Sequence, residues 1–398
     1  MWRENCTVTD CNFNGNTAKT TGGAISWSGA NSTMFNCNFT NNHAPYGDNV
    51  YWYWTVEEFL NKYGQINDYD YVYIRNGVGT PSSTIILNKK GVTISGQSTN
   101  VIFDAKGGNL HFEVTGDNVL IENLSFRNFN FTNGSGGAIL WQGNNGILKN
   151  CNFINNTVNG GGGAVLWMWN VINGTLISCT FIDNSASRYG GAVYWDSANG
   201  IITDSTFINN TAIIGGGIYW QGRDGSLTNS TFINNTATDS GGGVRCSGAN
   251  GIIMESIFIG NNAIKYGGGV SYDSVNGIIR GSNFRNNAAG INGGAINWNG
   301  ANGHLIDSTF INNVANNLGG GICWIGANGN IINCCFANGN WINNKSKSNG
   351  IYSLNSLDIN GGNGIVDIVT QSTLSGISIV VLNNETYYYP PDTNINFI

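Results

Sequence analysis

The sequence predicts an all-β fold, a single-stranded parallel β-helix with three sheets and about 26 residues in each turn, or rung. Three observations predict it. A phenylalanine recurs through the repeats at intervals of 25 to 28 residues, and a fixed period in this range is typical of solenoids. Each repeat divides into three short β-like segments, such as "GIITDS", "TFINNT" and "GGGIYW" within residues 200–220. The chain contains 58 Gly but only 4 Pro, which suits many tight turns between strands.

Stacked rungs should place equivalent residues above one another, so each repeat position becomes a column along the solenoid axis. The phenylalanine column comprises Phe13, Phe39, Phe153, Phe181, Phe207, Phe232, Phe258, Phe284, Phe310 and Phe336. A Leu/Ile column comprises Leu148, Leu176, Ile202, Leu227, Ile253, Ile279, Leu305 and Ile331. A tryptophan column comprises Trp27, Trp141, Trp167, Trp195, Trp220, Trp298 and Trp324, with Cys246 and Tyr272 as replacements. We expect these columns to face the lumen, because a single rung cannot bury such side chains alone.

An asparagine follows each phenylalanine by three residues in most repeats. Identical amides on successive rungs can bond to one another, so the sequence predicts an internal asparagine ladder. Its members in the regular repeats are Asn156, Asn184, Asn210, Asn235, Asn261, Asn287 and Asn313, and Asn16 and Asn42 are their equivalents in the first repeats.

The regularity of the repeat predicts five parts of the chain. They are the terminal rungs of a first β-helix block at 1–53, a short helix or cap at 54–66, irregular early rungs at 67–135, regular repeats at 136–350, and closing strands with a linker to a further domain at 351–398.

The helix is predicted at about 55–64 from two local signals. Thr55 and Glu58 have the spacing of a capping box, and Val56, Phe59 and Leu60 form one apolar face. We expect this helix to cover the open end of the second block, since an exposed strand edge invites aggregation.

Composition limits the class of function. The net charge is −6 and no cluster of Lys and Arg stands out, which argues against a nucleic-acid partner. No apolar run is long enough to span a membrane. The chain opens within a repeat, so we expect it to be a piece of a longer secreted or cell-surface protein whose export and anchoring signals lie elsewhere.

The nine cysteines show no metal-ligand spacing, and the sequence predicts neither a metal nor a cofactor. Five of them alternate with Ser in one small column two residues before the phenylalanine: Cys11, Cys37, Cys151, Cys179 and Cys334. The favoured interpretation is buried structural thiols. The alternative is a disulfide between Cys151 and Cys179, because neighbouring rungs lie within disulfide reach.

Many parallel β-helix proteins cleave polysaccharides, and that chemistry needs clustered carboxylates or an Arg or Lys base. Residues of this kind in the irregular early rungs are Asp104, Lys106, Glu122 and Arg127. In the regular repeats, Asp204 and Glu255 occupy a turn column that elsewhere carries Asn, so we interpret them as turn residues. The sequence therefore predicts no catalytic residues in the regular array.

Two variable columns should point outward and are the candidate binding faces. An isoleucine column follows the phenylalanine and comprises Ile154, Ile182, Ile208, Ile233 and Ile259. In the second column, each member stands between the inward Ile or Val and the Trp position of the third segment. This column comprises Leu140, Leu166, Tyr194 and Tyr219. Exposed apolar strips can mark partner surfaces, although β-branched and aromatic residues also simply favour strands.

The repeated motifs resemble a known family. "GGA[ILV]", as at 22–25, 136–139, 162–165, 190–193 and 293–296, is paired with "FxxN", as at 153–156, 207–210 and 310–313. Together they are similar to the polymorphic outer-membrane protein and adhesin-like family, and the Asn-rich style is most like the adhesin-like surface proteins of methanogenic archaea. The resemblance covers about 1–52 and 120–345. It implies a right-handed parallel β-helix used for adhesion at the cell surface.

We therefore expect a non-catalytic, adhesin-like solenoid that acts as a stiff spacer and binding module for a glycan or protein on a host or neighbouring cell. Two alternatives stay open. One is a polysaccharide lyase or hydrolase with its site in the early rungs, and the other is a purely structural stalk.

Overall fold

The computed structural model describes residues 6–28, 32–332 and Cys334, together with the backbone of five further strands between 351 and 389. The chain forms a parallel β-solenoid of about 12 turns, which confirms the predicted fold class. Each regular rung passes through sheet 1, sheet 2, a short sheet 4 and then sheet 3, so a fourth, minor sheet joins the three predicted ones. The phenylalanine column from Phe153 to Phe310, the Leu/Ile column and the tryptophan column from Trp141 face the lumen and are buried, whereas Phe13 and Phe39 are half-buried.

The strands of sheets 1 and 2 pair in parallel between successive rungs. Sheet 1 comprises Ile25–Trp27, Val50–Trp54, Tyr71–Ile74, Thr93–Gly96, Leu120–Glu122, Ile147–Lys149, Thr175–Ile177, Ile201–Thr203, Ser226–Thr228, Ile252–Met254, Ile278–Arg280, His304–Ile306, Gly329–Ile332 and Leu357–Asn360. Sheet 2 comprises Gly77–Gly79, Val101–Asp104, Ser125–Arg127, Asn152–Ile154, Thr180–Ile182, Thr206–Ile208, Thr231–Ile233, Ile257–Ile259, Asn283–Arg285 and Thr309–Ile311.

Sheets 3 and 4 are built in the same way. Sheet 3 comprises Ile85–Leu87, Phe112–Val114, Ile139–Trp141, Val165–Trp167, Val193–Trp195, Ile218–Trp220, Val244–Cys246, Val270–Tyr272, Ile296–Trp298, Ile322–Trp324, Ile351–Ser353 and Ile368–Thr370. Sheet 4 comprises Asn130–Phe131, Thr157–Val158, Ser185–Ala186, Thr211–Ile214, Thr236–Ser240, Asn262–Ala263, Ala288–Ala289 and Val314–Ala315. The remaining pairs are Thr7–Thr9 with Thr33–Phe35, Asn12–Asn14 with Asn38–Thr40, and the antiparallel Ser378–Leu382 with Glu385–Tyr389.

Aromatic rings stack along the lumen with the spacing of the rungs. From Phe153 to Phe284, consecutive rings of the phenylalanine column are 4.7 to 4.8 Å apart between centroids and lie within 6° of parallel. The Trp167 and Trp195 rings are 4.4 Å apart. Because each ring covers the face of the next, burial accumulates rung by rung. Phe336, assigned to the same column, lies outside the described residues.

Asparagine is abundant because the turns use the left-handed backbone region. Residues at three turn positions of the regular rung, among them Asn199, Asp204 and Asn209, have φ near 55°. Asn and Asp tolerate this conformation better than other residues with a side chain. Asp204 and Glu255 both lie at such a turn, with φ of 54° and 51°, as expected for turn residues.

The predicted helix is confirmed and spans Val56–Lys62, and a 3-10 turn follows at Tyr63–Gln65. Thr55 and Glu58 form the capping box. Phe59 is fully buried and lies 5.4 Å from Phe103 and 6.4 Å from Phe112 between ring centroids, so the helix closes the lumen beneath the first rungs of sheets 2 and 3.

The Trp strands of the first rungs lie in a different sheet from the Trp strands of the later rungs. Trp27 pairs with Trp52, Trp52 with Val72, and Val72 with Ile94, all within sheet 1. The assignment of Trp27 to the tryptophan column of sheet 3 was therefore wrong. The helical segment takes the place of strands in sheets 2 and 3, so the Trp strands of the first rungs continue into the column that Leu and Ile occupy later.

Candidate functional site

The asparagine ladder is present in the lumen, as predicted. Asn184 shows the pattern: its Nδ2 donates to Oδ1 of Asn210 at 3.0 Å and to the carbonyl of Phe153 at 3.0 Å. Its Oδ1 accepts from both the backbone N–H and Nδ2 of Asn156. The amide therefore uses both donors and two acceptor sites although it is fully buried. Asn16 and Asn42 form the same contact in the first rungs.

The small Ser/Cys column is a second internal ladder. The backbone N–H of Ser205 donates to Oγ of Ser230 at 3.2 Å, and that of Cys151 donates to Sγ of Cys179 at 3.4 Å. Both cysteines are free and buried in the structure, in agreement with the favoured interpretation rather than the disulfide alternative. Burial raises the pKa of the Cys151 thiol, and the neighbouring Cys179 adds to the effect.

The isoleucine column lies on the outer face of sheet 2, where its members stand in register on successive rungs. Ile154, Ile182, Ile208, Ile233 and Ile259 are each half-buried, whereas Arg285, the next in the column, is exposed. The column therefore forms a continuous apolar strip that ends at a cation.

The Leu/Tyr column lies on the outer face of sheet 3 and is more sheltered than a free surface. Leu166 is only 8% exposed, and Tyr194 and Tyr219 are half-buried. Farther along the same column, Ser271 and Cys323 are fully buried. The segment just before the Gly turn packs beside this face: Tyr189 contacts Tyr194, and Ser240 accepts from Arg245. Outward orientation from the lumen therefore does not make these side chains solvent-exposed.

Tyr189, which belongs to neither of the two predicted outer columns, lies beside these rings. Its ring lies 5.6 Å from that of Tyr194 and 5.1 Å from that of Tyr219, between centroids. Tyr194 and Tyr219 stack on each other at 5.2 Å. The available signal was a Tyr directly before the first Gly of the turn, which recurs at Tyr46 and Tyr266. The three rings form one cluster at the edge of sheet 3.

Polar groups border this tyrosine cluster. The Tyr194 hydroxyl lies 2.9 Å from Oε1 of Gln221 and 3.3 Å from Oδ2 of Asp196. Burial raises the pKa of Tyr194, and the nearby Asp196 charge raises it further. Burial also raises the pKa of Asp196, although the Tyr194 hydroxyl opposes this.

One rung beyond the tyrosines, the cluster gives way to an ion pair. Arg245 follows Tyr219 in the column and pairs with Asp273. Its Nη1 donates to the hydroxyls of Ser240 and Ser271. The outer face of sheet 3 is therefore aromatic at Tyr219 and charged at Arg245, on the neighbouring strand.

The fold brings together three of the four residues proposed for a catalytic site. Asp104 Oδ2 accepts from Nε of Arg127 at 2.9 Å, and its Oδ1 accepts from Asn128 and from the backbone N–H of Lys106. Burial favours a higher pKa for Asp104, but these donors outweigh it and lower the pKa. Glu122 lies apart on sheet 1, bonded to Ser95 and 3.8 Å from Lys149.

Among the residues that the structure describes, no group of three His, Cys, Asp or Glu side chains is placed to hold a metal ion. The same residues include no helix with the length and apolar character needed to cross a bilayer.

Four segments of the chain match the model of the Chlamydia polymorphic membrane protein repeat: residues 10–26, 178–194, 229–247 and 307–323. Each begins at the turn before a phenylalanine strand and ends within or just after the strand that follows the Gly turn. The motif thus coincides with the part of the rung that carries the stacked ring, the ladder amide and the Gly turn. The match supports this part of the predicted resemblance, whereas the likeness to methanogen surface proteins stays a prediction.

Solved structures with similar folds have different activities. The PL6 family polysaccharide lyase Pedsa3628 from Pseudopedobacter saltans is 13% identical, with a TM-score of 0.44 over 77% of this chain and 84% of that chain. PfbA, a surface adhesin of Streptococcus pneumoniae, is 14% identical, with a TM-score of 0.40 over 81% and 91%. These likenesses are too distant to carry a functional argument. No curated protein sequence matches the chain.

Proposed function

We propose that the chain is the β-solenoid of a cell-surface adhesin, a stiff spacer that carries a binding face and works without catalysis. The observation that carries this proposal is the match of four rungs to the Chlamydia polymorphic membrane protein repeat. The partner we propose is a glycan or protein on a host or neighbouring cell.

The internal ladders support the role of stiff spacer. From Asn156 to Asn313 each buried amide bonds the next rung, and bending the solenoid would stretch these bonds on its convex side. An unpaired amide in the lumen would cost about 1 to 3 kcal/mol, so bending is opposed at every rung.

Two outer faces are candidates for the binding surface. The tyrosine cluster of sheet 3 offers aromatic rings beside acceptors and an ion pair, and the isoleucine strip of sheet 2 offers apolar side chains in register. Tyrosine and arginine are enriched at the centres of protein interfaces, which favours the sheet 3 face for a protein partner.

Adhesion of beads coated with the full chain to a panel of cells tests the proposal. A Tyr194→Ala, Tyr219→Ala variant removes the aromatic face. An Ile208→Thr, Ile233→Thr variant removes the apolar strip while keeping β-branched residues that the column already accepts at Thr40. We expect one variant to lose adhesion and the other to retain it. Adhesion by neither the native chain nor the variants would contradict the binding role and favour the purely structural stalk.

The enzyme alternative rests on one observation, the proximity of Asp104, Lys106 and Arg127 on one edge of sheet 2. We favour the non-catalytic role because the three donors to Asp104 lower its pKa despite its burial, whereas an effective general base has a pKa near the working pH. Incubation of the full chain with a panel of polysaccharides, with and without Ca²⁺, should release no product. Cleavage that is abolished by Arg127→Gln would establish the alternative.

A further inference from the structure

Five tyrosines gather on the outer face of sheet 1, where the first rungs run into the rest of the solenoid. Tyr51 pairs with Tyr71 and Tyr53 with Tyr73 across two neighbouring strands. Their rings stack in parallel, at 5.3 Å and 15° for the first pair and 5.4 Å and 4° for the second. Tyr46 meets Tyr71 edge-on at 5.4 Å and is 52% exposed. We call these five residues the tyrosine tile.

The tile is not required by the fold. Its strand residues alternate with the inward Trp52, Trp54, Val72 and Ile74, which already supply the core. On the next rungs, Thr93 and then Leu120 follow Tyr71 in register, while Ser95 and Glu122 follow Tyr73. The two columns therefore accept small, polar and charged residues, and four half-buried tyrosines at one place indicate a use beyond folding.

The chemistry of the tile is neutral and rich in hydroxyls. Ser26 pairs with Tyr51 on one side, and Thr93 pairs with Tyr71 on the other. A cation borders the tile at Arg75, whose guanidinium carbon lies 5.4 Å from the centroid of the Tyr53 ring. A carboxylate borders it at Glu122, which accepts from Ser95 at 2.9 Å; burial raises the pKa of Tyr71, and the Glu122 charge adds to the effect. Burial and the neighbouring tyrosines raise the pKa of Tyr51 to about 12, so its hydroxyl stays protonated at neutral pH.

These properties match one class of ligand better than others. In each stacked pair one face of each ring is covered by the other ring, so a sugar would meet the ring edges and the phenol hydroxyls. The phenol and serine hydroxyls can exchange hydrogen bonds with sugar hydroxyls. A polyanion would find a single cation here. The two tyrosine columns repeat at the strand spacing of about 4.8 Å, which suits a ligand that is itself a repeating chain. The sheet holds the rings in place before binding, which lowers the entropic cost of association.

We propose that the tyrosine tile is a binding site for a neutral glycan chain. This inference rests on the proposed function, because it assigns a ligand class and a place to the binding module. It adds a surface different from the two outer columns considered above.

The test measures binding of the full chain to a neutral glucan and a neutral mannan, with alginate as the polyanionic comparison, by affinity electrophoresis and calorimetry. The tile variant is Tyr51→Thr, Tyr71→Thr, because Thr93 shows that the column accepts threonine. The matched control is Trp169→Thr, Tyr266→Thr, which removes two aromatic side chains outside the tile and outside both candidate faces; Trp169 is exposed, and Ser240 and Asn292 occupy the positions equivalent to Tyr266 on the neighbouring rungs. Circular dichroism and the thermal midpoint establish that both variants fold.

We expect a neutral glycan to bind, with a Kd raised about tenfold or more in the tile variant and unchanged in the control. Equal binding by the tile variant would overturn the assignment of the site, and preference for alginate would overturn the ligand class. If no glycan binds but the coated beads still adhere to cells, the glycan inference fails while the proposed function stands. Loss of that adhesion after protease treatment of the cells, but not after periodate treatment, would identify a protein partner instead.

Discussion

The indole ring of Trp195 lies against the α-carbon of Gly200, five residues later at the start of the next rung, so closely that a methyl group on Gly200 would overlap the ring. Trp141 with Gly146, Trp220 with Gly225 and Trp298 with Gly303 repeat this arrangement. Each of these tryptophans therefore requires a Gly before the next sheet 1 strand, because the indole occupies the place where a β-carbon would lie.

Substituting Gly200 by Ala should destabilise the solenoid. The added methyl group must displace a fully buried indole, and overpacking of this kind costs about 1 to 3 kcal/mol. Gly64→Ala is the matched control, since a side chain there meets nothing within 4 Å. Urea denaturation of both variants measures the effect. Equal midpoints would contradict the proposed steric role of the tryptophan.

Removing one asparagine of the ladder should lower the free energy of unfolding more than changing the exposed turn residue beside it. Asn210→Ala removes the acceptor for Asn184 and the donor to Asn235, which leaves buried polar groups unpaired, at about 2 to 4 kcal/mol in all. Asn209→Gly changes the adjacent exposed turn, where Gly260 occupies the equivalent position with φ of 64°. We expect it to be nearly neutral. A ladder variant as stable as the turn variant would show that the amide bonds contribute little.

The buried thiols of the regular repeats should be unreactive in the native chain and should form no disulfide. The thermal midpoint should be the same with and without a reductant, and thiol reagents at pH 8 should leave Cys151 unmodified until the chain is unfolded, because burial raises its pKa. Cys179→Ser should be nearly neutral, since Ser205 makes the equivalent contact one rung later. A midpoint that falls on reduction would favour the disulfide between Cys151 and Cys179.

The stability of the junction between the first rungs and the later rungs should depend on pH, because Asp70 is buried there. This buried carboxylate accepts from the Val50 N–H, the Trp52 indole and the Asn67 N–H, and burial raises its pKa to about 7 despite those donors. The folded state therefore holds the Asp70 proton more tightly than the unfolded state. Its contribution to stability is fully present below about pH 4 and is lost as pH rises through 7.

The Asp70→Asn variant isolates this effect. We expect the native chain to lose more stability than the variant between pH 4.5 and 7.5, as measured by urea midpoints at both values. Parallel pH profiles of the two proteins would contradict the assignment. A larger loss in the variant would mean that the three N–H donors stabilise the ionised form of Asp70 and lower its pKa.

The structure of the repeating rung could be predicted from the amino-acid sequence. The inward phenylalanines, the ladder of Asn156 to Asn313 and the small Ser/Cys column could all be predicted, because each is a local pattern repeated in register. The capping box of Thr55 and Glu58 also depends on residues a few positions apart. In such cases spacing along the chain fixes spacing in the fold.

Contacts between segments that do not share the repeat could not be predicted in this way. The shift that places Trp52 against Val72 depends on where the helix lies beneath Phe103, and no repeat encodes it. The shelter of Tyr194 by Tyr189, and the pairing of Tyr51 with Tyr71 across an irregular connection, likewise arise from contacts between segments with different sequences. A periodic pattern predicts which residue lies above another in the next rung. The segments that pack beside an outer face come from loops, and the period does not constrain their sequence.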